Sequence, residues 1–393
     1  MKKESFFRSL RSADRYMIGN LFFLYLIQGI YVILIGSILP MLKEEYGLSY
    51  RIGGYLISAH STGNIAAGLC AGLIPLLIGL KSSLMLLNLL PYIGFVIALS
   101  TGNPFLLVFA FLLTGLGRGA ISNYNNQAVS TLSDGNAAPL NALHGFFAIG
   151  AVSAPLIALA CSRASSDGWR TAVVIIIGLG AVSVFTSAFM KMDSVSYSRS
   201  DSGGDAAASF GFLRERPFWY SVVIMFLYQC IEATVMGWMV TYYEESGVFA
   251  ANAAQLLTSL LWITILIGRF TCSALGGKTT PAVIIRILST GILVFLCIVL
   301  LAGHLPLMLA GTIGLGLSLS GMYGTTVANA GDVFGRYPLA MGIFVTLSGF
   351  GSIITPSIVG ALAEEAGIRA GMRILLLPAA ALLAMAIFNK PKK

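Results

Sequence analysis

Arg118 and Glu232 each stand inside a run of apolar and small residues long enough to cross a bilayer. Placing a charge at the centre of such a run costs at least roughly 2.5–3.5 kcal/mol, so the side chain faces a wet cavity or a partner. A guanidinium offers a planar fork of donors that fits a carboxylate or two adjacent hydroxyls. A carboxylate in the same setting accepts hydrogen bonds from hydroxyls, or loads and releases a proton. The chemistry on offer is solute binding and proton exchange, with a mutual Arg118–Glu232 ion pair as the plainer alternative.

Polar side chains gather around these two at helical spacing. Arg118, Ser122 and Asn125 fall at i, i+4 and i+7, with Asn126 beside them. Tyr228 and Glu232 share a face at i, i+4, and Gln229 joins them. Gln28 and Tyr31 lie one turn apart, with Tyr25 a turn earlier, and Tyr323 and Asn329 stand in a later run. Amides and tyrosines suit a hydroxyl-rich solute: paired hydrogen bonds for hydroxyls and a flat face for a ring. His60 with Asn64, and separately His144, are weaker candidates, because a buried histidine serves structure more often than proton relay. The sequence carries no Ser/His/Asp arrangement, HExxH or P-loop, so an enzyme is not expected. The five cysteines form no metal-ligand spacing, and neither metal nor cofactor is expected.

The elements that position these groups are membrane spans. Of the 393 residues 57% are hydrophobic and 10% charged, where a soluble domain holds about 25% charged residues. Apolar stretches fall near 16–40, 51–79, 82–100, 104–131, 140–162 and 169–191. A second set falls near 217–243, 251–275, 282–303, 305–330, 338–363 and 371–388. The fold expected is an all-α polytopic membrane protein of about twelve transmembrane helices.

The net charge of +8 is explained by orientation rather than by nucleic acid. With an inside N-terminus, one side holds Lys2, Lys3, Arg8, Arg11, Arg15, Lys81, Lys191, Arg199, Arg214, Arg216, Arg269, Lys278, Arg286, Arg336, Lys390, Lys392 and Lys393. The other holds Lys43, Arg51, Arg163, Arg170, Arg369 and Arg373. This positive-inside bias puts both termini in the cytoplasm and makes the lipid bilayer of the cell (inner) membrane the surrounding phase.

The polar stretch 192–216 divides the spans six and six, giving bundles 1–191 and 217–393 joined by a cytoplasmic linker. The halves echo each other. Gly150 to Pro155 in the fifth span and Gly351 to Pro356 in the eleventh both read Gly-x4-Pro, and Gly79-Leu-Lys81 is echoed by Gly277-Lys278. Two pseudo-symmetric six-helix bundles suit alternating access around a central site.

The chain resembles the major facilitator superfamily and, within it, the fucose-permease-like sugar transporters. Gly115-Leu-Gly-Arg-Gly119 with Asn126, then Leu143-His144-Gly with Phe147, Gly150 and Pro155, carry the likeness in the first half. Glu232 with Gly237-Trp238 and Tyr242, Trp262 with Gly268-Arg269, and Gly314, Gly316, Ser320-Gly321 and Tyr323 carry it in the second. The resemblance implies that spans 1, 4, 7 and 10 line a central cavity. It thereby gathers Arg118, Glu232, Gln28, Tyr31, Ser122, Asn125, Asn126, His144, Tyr228, Gln229, Trp262, Tyr323 and Asn329 into one solute site. The first span has Gln28 and Tyr31 but no acid, and Ser122 stands where relatives often carry one, so proton coupling is expected to pass through Glu232. Asp332, Arg336 and Arg269 fall at the inner ends of spans 10 and 8, as a latch or as ordinary solvated charges.

These readings converge on a monomeric secondary transporter that takes up a monosaccharide or sugar acid, or another small organic anion, with the proton as coupling ion. A proton-driven drug or metabolite exporter of the same superfamily is the alternative, partly suggested by Gly150-x-x-x-Ala154-Pro155.

Overall fold

The computed structural model describes residues 10–133, 137–165, 167–192, 195, 210–248, 251–276, 278–301, 303–331 and 333–389. Among them there is no β-strand. The first half contains α1 (Ser12–Tyr46), α2 (Tyr50–Cys70), α3 (Ile74–Ile78), α4 (Leu80–Ser100), α5 (Pro104–Leu132), α6 (Ala137–Ala164) and α7 (Gly168–Ala188). The second contains α8 (Arg216–Glu245), α9 (Ala251–Gly276), α10 (Pro281–Leu301), α11 (Leu305–Leu319) and α12 (Met322–Ala330). It closes with α13 (Val333–Arg336), α14 (Pro338–Ala366), α15 (Ile368–Arg373) and α16 (Leu376–Phe388).

Eleven of the described segments are long and apolar enough to cross a membrane, with α11–α12 and α15–α16 each counted as one. The expected span left out of that count is the second, whose α2 is 21 residues long but is loaded with Arg51, His60, Asn64, glycines and serines. Length makes it a crossing helix and composition does not. Helix starts are signalled locally. Pro104 opens α5 where its missing N–H costs nothing, and Asn103 Oδ1 caps the amides of Phe105 at 3.0 Å and Leu106 at 3.3 Å.

Three expected spans are not single helices. The second stops at Cys70 and restarts at Ile74, where Pro75 sits in the first turn. The tenth is interrupted between Leu319 and Met322, at Ser320-Gly321. The twelfth is stepped between Arg373 and Leu376.

The chain forms two compact units. One comprises Met1–Leu34 and Thr62–Ser200, the other Ile35–Ser61 and Asp201–Lys393, so the division falls inside α1 and α2. The first unit is built on a core of Met17, Leu21, Leu84, Ala120, Tyr124 and Leu143 from α1, α4, α5 and α6. In the second, Trp238 of α8 is the largest fully buried side chain, with its indole N–H donating to Pro356 O at 3.2 Å.

The repeated Gly-x4-Pro has a repeated structural use. Gly150 of α6 lies against the Leu26 carbonyl and Ile30 amide of α1. Gly351 of α14 lies against the Phe226 carbonyl and Cys230 amide of α8. In each half the glycine lets the fifth helix touch the backbone of the first, where a side chain would hold them apart. The contrast within α14 gives a test. Gly→Ala inside a helix normally gains roughly 0.5–1 kcal/mol. That gain is expected for G342A, whose new methyl meets open space. G351A is expected to lower the thermal midpoint of the purified protein, because its methyl overlaps backbone that cannot swing aside.

Candidate functional site

In the first unit the site is assembled by close helix approach. Gly117 of α5 seats against Pro91 of α4, and Gly119 seats against the Asn64 carbonyl of α2. The helix is thus clamped on both sides of Arg118, whose own side chain is half-buried. The α5 face between those contacts meets α1. Gln28 Nε2 donates to Ser122 Oγ at 2.6 Å and to the Arg118 carbonyl at 3.3 Å. Both amide hydrogens are spent in this way, and the buried Gln28 Oε1 has no partner among the described residues.

One turn on, Asn126 Nδ2 donates to Tyr25 OH at 3.1 Å and to the Ser122 carbonyl at 2.7 Å. Asn125 is fully buried and donates to the Leu21 carbonyl at 3.1 Å. His144 of α6 is exposed and meets Tyr25 edge-on, ring centres 5.4 Å apart. Gln28 thus joins Ser122 to the Arg118 backbone, and Tyr25 links Asn126 to His144. Tyr31 lies one turn from Gln28 on α1. Its buried ring packs edge-on against Tyr92 and Phe95 of α4, at 6.4 and 6.3 Å.

In the second unit the centre is Tyr228. Its buried hydroxyl lies 2.7 Å from Glu232 Oε1 and 2.7 Å from the Leu319 carbonyl. Leu319 closes α11, and its carbonyl would ordinarily accept from the amide four residues on. The helix is interrupted directly after it, at Ser320-Gly321, and Tyr228 donates to that carbonyl from α8. A phenol has one proton and here two acceptors. Glu232 itself is half-buried, as is Gln229, and Trp262 of α9 is buried.

Two further expected members lie on α12. Tyr323 is exposed, its ring 6.4 Å from Phe344 of α14. Asn329 and Asn389 exchange amide hydrogen bonds at 3.1 and 3.4 Å, tying α12 to the end of α16. Of the three charges expected at the inner ends, Asp332 lies outside the described residues and Arg269 is half-buried on α9. Arg336 pairs with Glu215 at 3.3 Å.

The sequence reading missed a second polar seam inside the same unit. Tyr50 donates to Glu245 Oε2 at 2.5 Å, and Lys43 Nζ lies 3.0 Å from the Tyr50 ring centre and 5.7 Å from that of Trp238. Ser58 Oγ donates to the Ile353 carbonyl at 2.5 Å, and Gln255 Nε2 donates to the Ser37 carbonyl at 2.8 Å. Glycines again allow the approach: Gly54 faces the Pro356 carbonyl and Gly360 the Tyr50 carbonyl. The clue available beforehand was the run of charges at the span ends, Lys43, Glu44 and Glu45 against Glu244 and Glu245.

Helices of crossing length, glycine-mediated contacts and polar clusters at mid-helix define a polytopic helical membrane protein. The family model described as Major Facilitator Superfamily matches residues 21–302, and the chain belongs to that family. Among curated relatives, it is 26% identical over 398 residues to the probable sulfoacetate transporter SauU of Cupriavidus necator, covering 91% of this chain and 89% of that protein. It is 24% identical over 149 residues to the mouse major facilitator superfamily domain-containing protein 4A, a match to 37% of this chain that spans 29% of the mouse protein. Among solved structures, the E. coli fucose:proton symporter FucP superposes with a TM-score of 0.63 at 18% identity, over 95% of this chain and 98% of the symporter.

Proposed function

We propose that the chain takes up a small polar solute carrying an anionic group, a sugar acid or related organic anion, by proton-coupled alternating access through Glu232. The observation that carries the coupling is the Tyr228 hydroxyl, 2.7 Å from both Glu232 Oε1 and the Leu319 carbonyl at the α11–α12 interruption. With Glu232 ionised, the phenolic proton is held by the carboxylate. With Glu232 protonated, that proton is released to Leu319, and the interruption in the tenth span gains a donor. Loading of one side chain thereby changes the hydrogen bonding of a broken helix.

The solute class rests on Arg118 and the amides around it. A guanidinium recognises carboxylate or sulfonate oxygens in pairs, and the buried Gln28 Oε1 beside it is an acceptor without a partner among the described residues. The named function of the C. necator relative, sulfoacetate transport, and that of the structural neighbour, fucose:proton symport, fit an anionic solute and a proton respectively. In this reading residues 1–191 and 217–393 are the two working halves of a monomer in the cell membrane, both termini cytoplasmic, and 192–216 links them.

A ligand screen tests the solute class. Purified protein is expected to gain thermal stability with sugar acids and small sulfonates, since a ligand stabilises the state that binds it. Stabilisation by hydrophobic cations alone would replace this reading with the drug-exporter one.

A further inference from the structure

We propose that the groove between the start of α4 and the end of α7 is a headgroup site for an anionic phospholipid. The groove has a volume of about 410 Å³, and its polar lining is Lys81, Ser82 and Lys191. Leu80, Met190 and Val195, all buried, form its apolar floor.

The groove lies at the end of the unit where α1 begins. Tyr16 donates to the Thr186 carbonyl at 2.8 Å, and Lys81 Nζ donates to the Ala188 carbonyl at 2.7 Å. That second bond holds Lys81 in place at the last turn of α7 and uses one of its three donors. The remaining donors, the Ser82 hydroxyl and the exposed Lys191 ammonium are available to the non-bridging oxygens of a phosphate.

A phosphodiester on a lipid fits better than a free phosphate because of what flanks the groove. Leu77 of α3 is 82% exposed and Phe189, next to Met190, is 63% exposed. On helices that span a bilayer such side chains meet acyl chains. A ligand with a charged head and apolar tails satisfies the lysines and these surfaces together, as basic pockets between membrane helices do.

The test uses the full chain in neutral detergent, titrated with phosphatidylglycerol, phosphatidylcholine or inorganic phosphate, read by native mass spectrometry and by thermal midpoint. Phosphatidylglycerol is expected to stay bound and to stabilise, phosphatidylcholine and phosphate to do neither. Each lysine near an anionic headgroup is worth about fivefold in affinity. K81A/K191A is therefore expected to weaken phosphatidylglycerol binding by about 25-fold, and K278A to leave it unchanged. Should the double variant fold poorly, K191E alone is decisive, because that side chain is exposed. Equal protection by inorganic phosphate would make this a free-anion site and overturn the lipid assignment. Phosphatidylglycerol binding no tighter than phosphatidylcholine, or undiminished in K191E, would overturn it as well.

Discussion

Reconstituted into vesicles with an acidic exterior, an E232Q variant is expected to equilibrate its solute without concentrating it. One pH unit across the membrane is worth about 1.4 kcal/mol per proton, or tenfold in solute ratio. A one-proton symporter under a two-unit gradient therefore accumulates about 100-fold, and a carrier with no protonatable side chain at position 232 stops near unity. Counterflow exchange, which needs binding and reorientation but no net proton movement, is expected to survive in E232Q. Tyr228→Phe separates the carboxylate from its link. Removing the hydroxyl leaves Glu232 able to load a proton but deprives the Leu319 carbonyl of its donor, at a cost of about 1–3 kcal/mol in the state that uses the bond. Y228F should bind solute, keep a pH-dependent affinity, and turn over slowly. Full accumulation by E232Q would refute the coupling role.

Arg118→Ala is expected to weaken binding of an anionic solute by about 10–150-fold, the loss of hydrogen bonds to a charged group worth roughly 1.5–3 kcal/mol. Arg118→Lys restores the charge without the fork and should recover only part of the affinity. The backbone around position 118 is held independently, by Gly117 on α4, Gly119 on α2 and the Gln28 amide on the carbonyl. Truncating the side chain should therefore leave the ligand-free thermal midpoint near that of the parent protein. The measurement is a binding isotherm beside a melting curve. An unchanged isotherm with a lowered midpoint would mean that the guanidinium serves structure, as one half of an ion pair, and that the anion is recognised elsewhere.

The positions of the spans were legible because hydrocarbon demands long apolar runs, and that demand is written residue by residue. The spacing of Arg118, Ser122, Asn125 and Asn126 was equally legible, since helical geometry turns a sequence interval into a shared face. The interruption at Ser320-Gly321 was not. Serine and glycine are common in unbroken membrane helices, so nothing local marks this pair as a break. Its consequence, a carbonyl offered to Tyr228 from another helix, depends on tertiary packing. Asn329 shows the same limit from the other side. Its partner Asn389 lies just beyond the last apolar run, where sequence spacing gives no reason to look. Tyr31 shares a turn with Gln28, and its packing on Tyr92 and Phe95 is a tertiary contact that spacing does not give.

For biosynthesis, the polar load of α2 makes it the reluctant member of the chain. A nascent segment partitions into lipid on the strength of its own side chains, and Arg51, His60 and Asn64 all weigh against entry. The helix that later covers Asn64, α5, has not yet been translated when α2 leaves the ribosome. What precedes it is α1, strongly apolar and separated only by residues 47–49. The two must enter the bilayer as a hairpin, the first carrying the second.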